Sequence, residues 1–176
     1  MGQQDNSDIT QQQQILSDKY DKQVKQLENQ ISMIELRQQE LQNYIVSLDQ
    51  TIRQIDSIIF REEKKANPDY NKIKNLRFIS SKNIEIITNI YNTYQKFEDV
   101  KFKYYKEIDN HSHSGNRLIN IELVKLTNKS NDISDSFMDM IKYMSTLGLN
   151  NEKTKINNQL DIESKESLEK NPEYQL

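Results

Sequence analysis

The sequence contains no cysteine and no tryptophan, and it has only three glycines and two prolines among 176 residues. The absence of cysteine excludes disulfide bonds, thiolate metal sites and cysteine nucleophiles. Glycine and proline are the residues that most often interrupt helices and form turns, so their scarcity indicates few and long secondary-structure elements.

Residues arranged for catalysis are also missing. The chain has no glycine-rich phosphate loop and no serine nucleophile elbow, and its acidic residues show no pairing at a defined spacing. The only histidines, His111 and His113, lie close to Glu107 and Asp109, which makes this the one cluster that could suggest a metal site. A spacing of two residues fits a polar loop better than one face of a helix. We therefore predict a protein without enzymatic activity, cofactor or metal.

Long apolar runs are absent as well. No window approaches the roughly 18 apolar residues of a membrane-spanning helix, and the first residues lack the apolar core of a signal peptide. We expect no membrane span and no signal peptide, which favours a cytoplasmic location, or a virus particle if the protein is viral. The net charge of −3 argues against a general nucleic-acid binder, because affinity for phosphate is built from lysine and arginine.

The residues that are present favour a thin helical bundle or coiled coil. Hydrophobic residues make up 34% of the chain and charged residues 29%, and the mean hydropathy is −0.92. A thick globular core needs more apolar residues, whereas a coiled-coil seam needs only two or three apolar positions in seven.

The main pattern is a seam in which large apolar residues recur at alternating spacings of four and three from Tyr20 to Ile59. A period of 3.5 keeps one narrow stripe of a helix facing a partner over a long distance. With Val24 at heptad position a, Gln38 is the one polar interruption. The predicted self-association seam consists of Val24, Leu27, Ile31, Ile34, Gln38, Leu41, Ile45, Leu48, Ile52, Ile55 and Ile59.

The composition of the seam changes near its middle. β-Branched residues at a with mostly leucine at d favour parallel dimers in simple coiled coils. Beyond this point Tyr44, Ile58 and Phe60 widen the apolar stripe. We expect the first half to pair with a second chain and the second half to receive other helices of its own chain.

The predicted fold class is all-α, with a long coiled-coil helix followed by two antiparallel helices that form an elongated bundle. Breaks fall at Asn67-Pro68-Asp69 and in the turn-forming segment around Gly115, and Gly148 stands where a helix would end. The predicted helices cover about 17–65, 68–110 and 116–147. Flexible termini flank this domain of residues 17–148: a polar, glutamine-rich arm over 1–16, and a polar tail over 149–176 that is disordered or orders on binding a partner.

The second predicted helix carries lysines interleaved with aromatic residues, a composition that could stack bases and neutralise phosphates. The candidate nucleic-acid surface consists of Lys96, Lys101, Phe102, Lys103, Tyr105 and Lys106. Other aromatic residues of this helix, such as Tyr94, Phe97 and Tyr104, follow the spacing of a helix core. Packing therefore explains most of the aromatic content without nucleic acid.

The function that these features favour is that of a non-enzymatic structural or assembly protein acting through extended helical contacts. Heavy use of isoleucine, asparagine and lysine suggests an AT-rich genome, and we expect a virion component or assembly factor of a phage or other virus. The expected partners are further copies of the chain and a larger protein assembly. Two alternatives remain open: an accessory nucleic-acid-binding protein using the second helix, and a cytoplasmic coiled-coil adaptor or tether.

Overall fold

The computed structural model describes residues 2–110 and 116–147, which form three α-helices and contain no strand. The helices are α1 (Gly2–Glu63), α2 (Tyr70–Asp109) and α3 (Asn116–Thr146). The predicted all-α helical bundle is confirmed. α2 is the central helix, because α1 and α3 each pack mainly against it and contact each other much less.

Contacts at both ends of the bundle show that α1 and α2 are antiparallel. Near the start of the packed part of α1, the Tyr20 hydroxyl donates to the carbonyl oxygen of Ile108 at 3.4 Å. At the other end, Arg77 Nη2 lies 2.8 Å from Glu63 Oε1. Early residues of α1 therefore meet the end of α2, and the last residues of α1 meet its beginning.

α3 reverses direction again and runs antiparallel to α2. The Tyr104 hydroxyl donates to Asn120 Oδ1 at 2.6 Å near the start of α3. Asn83 Nδ2 lies 4.0 Å from Met144 Sδ near its end. α3 therefore finishes beside the middle of the first half of α2, and the hairpin of α1 and α2 extends beyond it.

The helix bounds differ from the predicted ones at the N-terminus and at the first turn. Residues 2–16, predicted as an arm, continue α1 without a break, because glutamine is a good helix former and a helix already nucleated by packing propagates readily. α2 begins two residues later than predicted, since the Asp69 side chain caps it by accepting from the Lys72 amide at 3.1 Å. The predicted tail (149–176), His111 and His113 lie outside the described residues.

The predicted seam is the part of α1 that forms the core. Buried seam residues are Leu27, Ile31, Ile34, Gln38, Leu41, Leu48, Ile55 and Ile59, while Val24, Ile45 and Ile52 are half-buried. Burial covers both halves, so the expected division between a self-association half and an intramolecular half is not observed. α2 and α3 are long enough to reach back along α1 and cover the first half. Self-association through the seam remains a prediction, and a second chain would have to displace α2 or α3 there.

The predicted widening of the seam is correct at Tyr44 and wrong at Phe60. Tyr44 is buried and stacks on Phe137 of α3, with ring centroids 4.2 Å apart and planes inclined by 24°. Its hydroxyl also lies 2.9 Å from Ser134 Oγ. Phe60 is 58% exposed, and the Lys64 ammonium lies 4.1 Å from its ring centroid. Phe60 lies on the side of α1 that faces away from α3, so no third helix covers it.

Several polar residues occupy core positions of the bundle. Asn83 and Thr93 of α2 are completely buried, and Ser130 of α3 is 3% exposed. These side chains continue the inward-facing stripes of their helices at points where the sequence has no large apolar residue. Small polar residues therefore complete the central layers of the bundle.

The turn between α1 and α2 is organised around Glu62, whose side chain is buried. Its Oε1 accepts from the Asp69 amide at 3.1 Å, and its Oε2 lies 2.8 Å from Lys65 Nζ. The Lys65 ammonium and then the Asp69 amide lower the pKa of Glu62 below its ordinary value of 4.5. One carboxylate therefore ties the end of α1 to the residue that caps α2.

The Glu62→Gln variant should lower the melting temperature at pH 7. A carboxylate whose pKa is lowered by folding stabilises the fold above its unfolded pKa, and this contribution is lost as the pH falls below about 4.5 through the folded value. The difference from the unmodified chain should therefore shrink between pH 7 and pH 3.5 in thermal melts followed by circular dichroism. Glu63→Gln is the matched control, because Glu63 is exposed and its ion pair with Arg77 is a surface pair. A constant difference across this pH range would contradict the role of the Glu62 charge.

The Phe137→Ala variant should reduce the free energy of unfolding by about 3–4 kcal/mol, because it removes a buried ring and leaves a cavity beside Tyr44. Phe102→Ala, at a ring that is 65% exposed, should change it by less than about 0.5 kcal/mol. Urea denaturation of both variants measures the difference, and equal losses would show that the core is packed differently.

Candidate interaction surfaces

The first candidate surface is the N-terminal part of α1, residues 2–19, which we call the overhang. Every side chain from Ser7 to Lys19 is exposed, and at 1.5 Å per residue the overhang is about 27 Å long. It carries exposed Ile9, Ile15 and Leu16, of which Leu16 is 65% exposed. The overhang is thus a helix with a narrow apolar stripe and no cover among the described residues.

The apolar residues of the overhang lie in line with Tyr44, which packs on α3 further along α1. Ile9 and Leu16 are separated by seven residues, and further steps of seven lead to Tyr44 and Thr51, which are both buried. The intervening positions on this stripe are half-buried. Exposure therefore decreases steadily from the overhang into the bundle, and the uncovered part begins where α3 no longer reaches.

The second candidate surface is a groove between α1 and α2, on the side away from α3, which we call the α1–α2 groove. It contains two depressions of about 450 and 440 Å³, and no α3 residue lines either one. The first depression is lined by Asp56, Ile59, Phe60, Glu63, Arg77, Ser80, Ser81 and Ile84. The second is lined by Ile45, Val46, Asp49, Gln50, Arg53, Ile87 and Tyr91.

The apolar part of the groove consists of residues that the other helices leave uncovered. Val46, Phe60, Ile84 and Tyr91 are each more than half exposed. Ile84 and Tyr91 are spaced by seven residues on α2. They extend the apolar surface of α2 toward solvent rather than toward α3.

A polar network joins α1 to α2 at Gln38. The Gln38 amide, 3% exposed, donates to the carbonyl oxygen of Tyr94 at 3.3 Å and to Glu98 Oε1 at 2.8 Å. Lys101 Nζ lies 2.8 Å from the same carboxylate oxygen. The Lys101 ammonium and then the Gln38 amide lower the pKa of Glu98. Burial opposes the charge of Lys101, but Glu98 outweighs it and raises the pKa of Lys101. The polar interruption of the seam thus fixes the register of α1 against α2.

The six residues of the candidate nucleic-acid surface do not form one face. Lys101 is half-buried and paired with Glu98, and Lys103 forms a 2.7 Å ion pair with Glu122 of α3. Lys106 lies over the exposed ring of Phe102, with 5.7 Å between its ammonium and the ring centroid. Lys96 and Tyr105 are exposed, but at about 100° per residue they point to opposite sides of α2. The structure spreads these side chains around the solvent-facing arc of the helix and pairs two of the four cations.

The described residues contain no group of three or more histidine, cysteine, aspartate or glutamate side chains that could hold a metal ion. Tyr104 has a strongly shifted pKa, which burial and then the charge of Glu122 raise to about 12. Its hydroxyl donates to Asn120, so the neutral phenol joins α2 to α3 and has a structural role.

Across residues 2–110 and 116–147, none of the three helices is both long enough and apolar enough to cross a membrane.

No protein-family model, curated protein or solved structure matches this chain. The candidate surfaces therefore rest on the geometry of the chain itself.

The Gln38→Glu variant should destabilise the bundle at pH 7 by about 2–3 kcal/mol. It places a second carboxylate next to Glu98 Oε1, which lies 2.8 Å from the Gln38 amide, and two carboxylates in such a site raise one pKa by roughly two units. Stability should recover as the pH falls from about 6.5 to about 4.5, because one carboxylate with a raised pKa becomes protonated in the folded chain over this range and restores a hydrogen bond.

Gln39→Glu is the matched control for this variant, because Gln39 is exposed and its amide contacts only Asn43 of the same helix among the hydrogen bonds found. Urea denaturation at pH 7 and pH 4 measures both variants. Equal effects at the two positions would contradict the role of Gln38 in setting the register.

Proposed function

We propose that this chain is a non-enzymatic structural or assembly protein that acts through extended helical contacts, with the overhang as its main contact. The observation that supports this proposal is the exposed pair Ile9 and Leu16, which lies in line with Tyr44, a residue that is buried against Phe137 of α3. An isolated polar helix of this length is only marginally stable in water. A partner that covers the stripe would stabilise it by burying apolar surface.

A second copy of the chain fits the overhang by symmetry. When two identical helices pair in an antiparallel arrangement about a twofold axis, each contact occurs twice. Such an arrangement would place Ile9 of each copy opposite Leu16 of the other, with the glutamines Gln11 to Gln14 at the centre. Paired amide side chains can hydrogen-bond across this centre. The α1–α2 hairpins would then extend in opposite directions from the contact.

The wider role is assembly of a larger particle. Helices of this length present contacts that are separated by large distances: α1 alone is about 93 Å long at 1.5 Å per residue. The high use of isoleucine, asparagine and lysine favours a virus particle as the assembly. Purification from the native source, with the copy number per particle measured by quantitative mass spectrometry, tests this part of the proposal.

The Ile9→Asp/Leu16→Asp double variant should convert the oligomer to a monomer in size-exclusion chromatography with light scattering. Its melting temperature, extrapolated to low protein concentration, should be unchanged, because both side chains are exposed in the single chain. Val124→Asp is the matched control, since Val124 is a 59% exposed apolar residue on α3 far from the overhang. A monomeric unmodified chain at all concentrations would refute self-association through the overhang.

A further inference from the structure

The α1–α2 groove is an uncovered surface separate from the overhang. Its two depressions are lined by α1 residues between Ile45 and Glu63 and by α2 residues between Arg77 and Tyr91. The α1 lining is about 27 Å long at 1.5 Å per residue, and two adjacent helices are together about 20 Å wide, so each chain presents an area of about 500 Å². Two such faces would bury about 1,000 Å² in total, which is the smallest area at which specific interfaces are commonly found.

Assembly into a larger particle requires more than one kind of contact on each chain. The twofold contact proposed for the overhang uses the same surface of both copies, so it closes at two chains and cannot add a third. This need for a second contact rests on the proposed function, whereas the geometry of the groove does not depend on it. Leu16 and Ile45 are about 44 Å apart along α1, so an occupied overhang leaves the groove accessible.

The charges of the groove are complementary to themselves under a twofold rotation. Arg53 Nε lies 3.1 Å from Asp49 Oδ2 of its own helix, and the Arg53 side chain is 79% exposed. Asp56, which also lines the groove, has no ion-pair partner among the described residues. In an antiparallel pairing of two grooves, the axis crosses α1 at the middle of its lining, near residue 54. Arg53 of each copy then lies within one helical turn of Asp56 of the other copy, which gives two pairs of opposite charge.

The same axis brings the exposed apolar residues of the two grooves together. Val46 and Phe60 are each more than half exposed, and Val46 of one copy lies within one turn of Phe60 of the other. On α2 the middle of the lining is Ile84, so the Ile84 side chains of the two copies meet near the axis. The exposed Tyr91 ring lies within one turn of Ser80 of the other copy, where a small side chain leaves room for it. Apolar surface that faces solvent in one chain is therefore covered in the pair.

We propose that the α1–α2 groove binds the same groove of a second copy, with the two hairpins antiparallel. The overhangs of this pair point in opposite directions, and each remains free to bind a further copy. Alternating groove and overhang contacts then extend the assembly as an open chain. The charged centre of the groove contact must lose water on binding, which offsets part of its attraction, whereas Gln11 to Gln14 at the centre of the overhang contact are neutral. The groove contact is therefore the weaker one and forms at higher protein concentration.

The full-length Ile9→Asp/Leu16→Asp variant isolates the groove contact, because it removes the exposed apolar residues of the overhang. Sedimentation equilibrium of this parent variant should show a monomer at low concentration and a dimer as the concentration rises. Adding Arg53→Asp should weaken the dimer about tenfold, because two carboxylates then meet at each of the two contacts. Adding Asp56→Arg instead should weaken it to a similar degree, because two guanidinium groups then meet. A parent variant that stays monomeric at the highest concentration would overturn the proposal.

An equimolar mixture of the two charge variants decides whether these side chains meet across a twofold axis. In the mixed pair, the introduced carboxylate of one chain faces the introduced guanidinium of the other, and the unchanged Arg53 faces the unchanged Asp56. The mixture should therefore dimerise as strongly as the parent variant. A mixture that dimerises no better than either charge variant alone would refute the proposed pairing.

Lys125→Asp is the matched control, because Lys125 is exposed on α3 and the substitution makes the same change of charge as Arg53→Asp. It should leave the dimer unchanged, and a loss equal to that of Arg53→Asp would trace the effect to net charge and contradict the proposal. Thermal melts of all variants should coincide, because the substituted side chains are exposed. The charge exchange does not depend on how the overhang pairs, so either proposal can fail alone.

Discussion

Burial of the α1 seam against α2 is the interaction on which the rest of this structure depends. α2 packs along α1 from the Tyr20 contact to the Glu63 pair, and α3 packs mainly on the helix that this contact has positioned. Each fully buried leucine or isoleucine in such a seam contributes about 1.5–3 kcal/mol relative to an exposed side chain. Because only two or three positions in seven are apolar, few of these contributions can be lost before the chain unfolds.

The sequence predicted most of the fold because the spacing of apolar residues and the positions of proline and glycine are local properties of the chain. Ile31, Leu41 and Ile55 mark the buried stripe by spacing alone, and Pro68 marks the turn. Spacing does not reveal the partner, however: a stripe that faces a second chain has the same period as one that faces its own α2. For this reason the spacing could not show that the first half of the seam is also buried within its own chain. The burial of Asn83 was not predicted, because the search for core positions relied on the spacing of apolar residues and Asn83 is polar.

The candidate surfaces were only partly predictable. Ile9 and Leu16 are spaced by seven residues, but the surrounding glutamines led to the prediction of a flexible arm instead of a helix. The groove could not be read from α1 or α2 separately, because it exists only where the two helices lie side by side and α3 does not cover them. The lysines of α2 show the same dependence on tertiary structure. Lys103 is basic in sequence but is neutralised by Glu122 of another helix.

The continuity of α1 through the overhang and the bundle has a consequence for hydrogen exchange. Amides near Leu41 and Leu48 should exchange only when the bundle opens, since both side chains are buried. Amides near Ile9 belong to the same helix but should exchange by fraying from the N-terminus, which breaks no tertiary contact among the described residues. We therefore expect one unbroken helix to contain a slow and a fast exchange regime, with the boundary close to Tyr20. A partner that covers the overhang would move this boundary toward the N-terminus without altering the core.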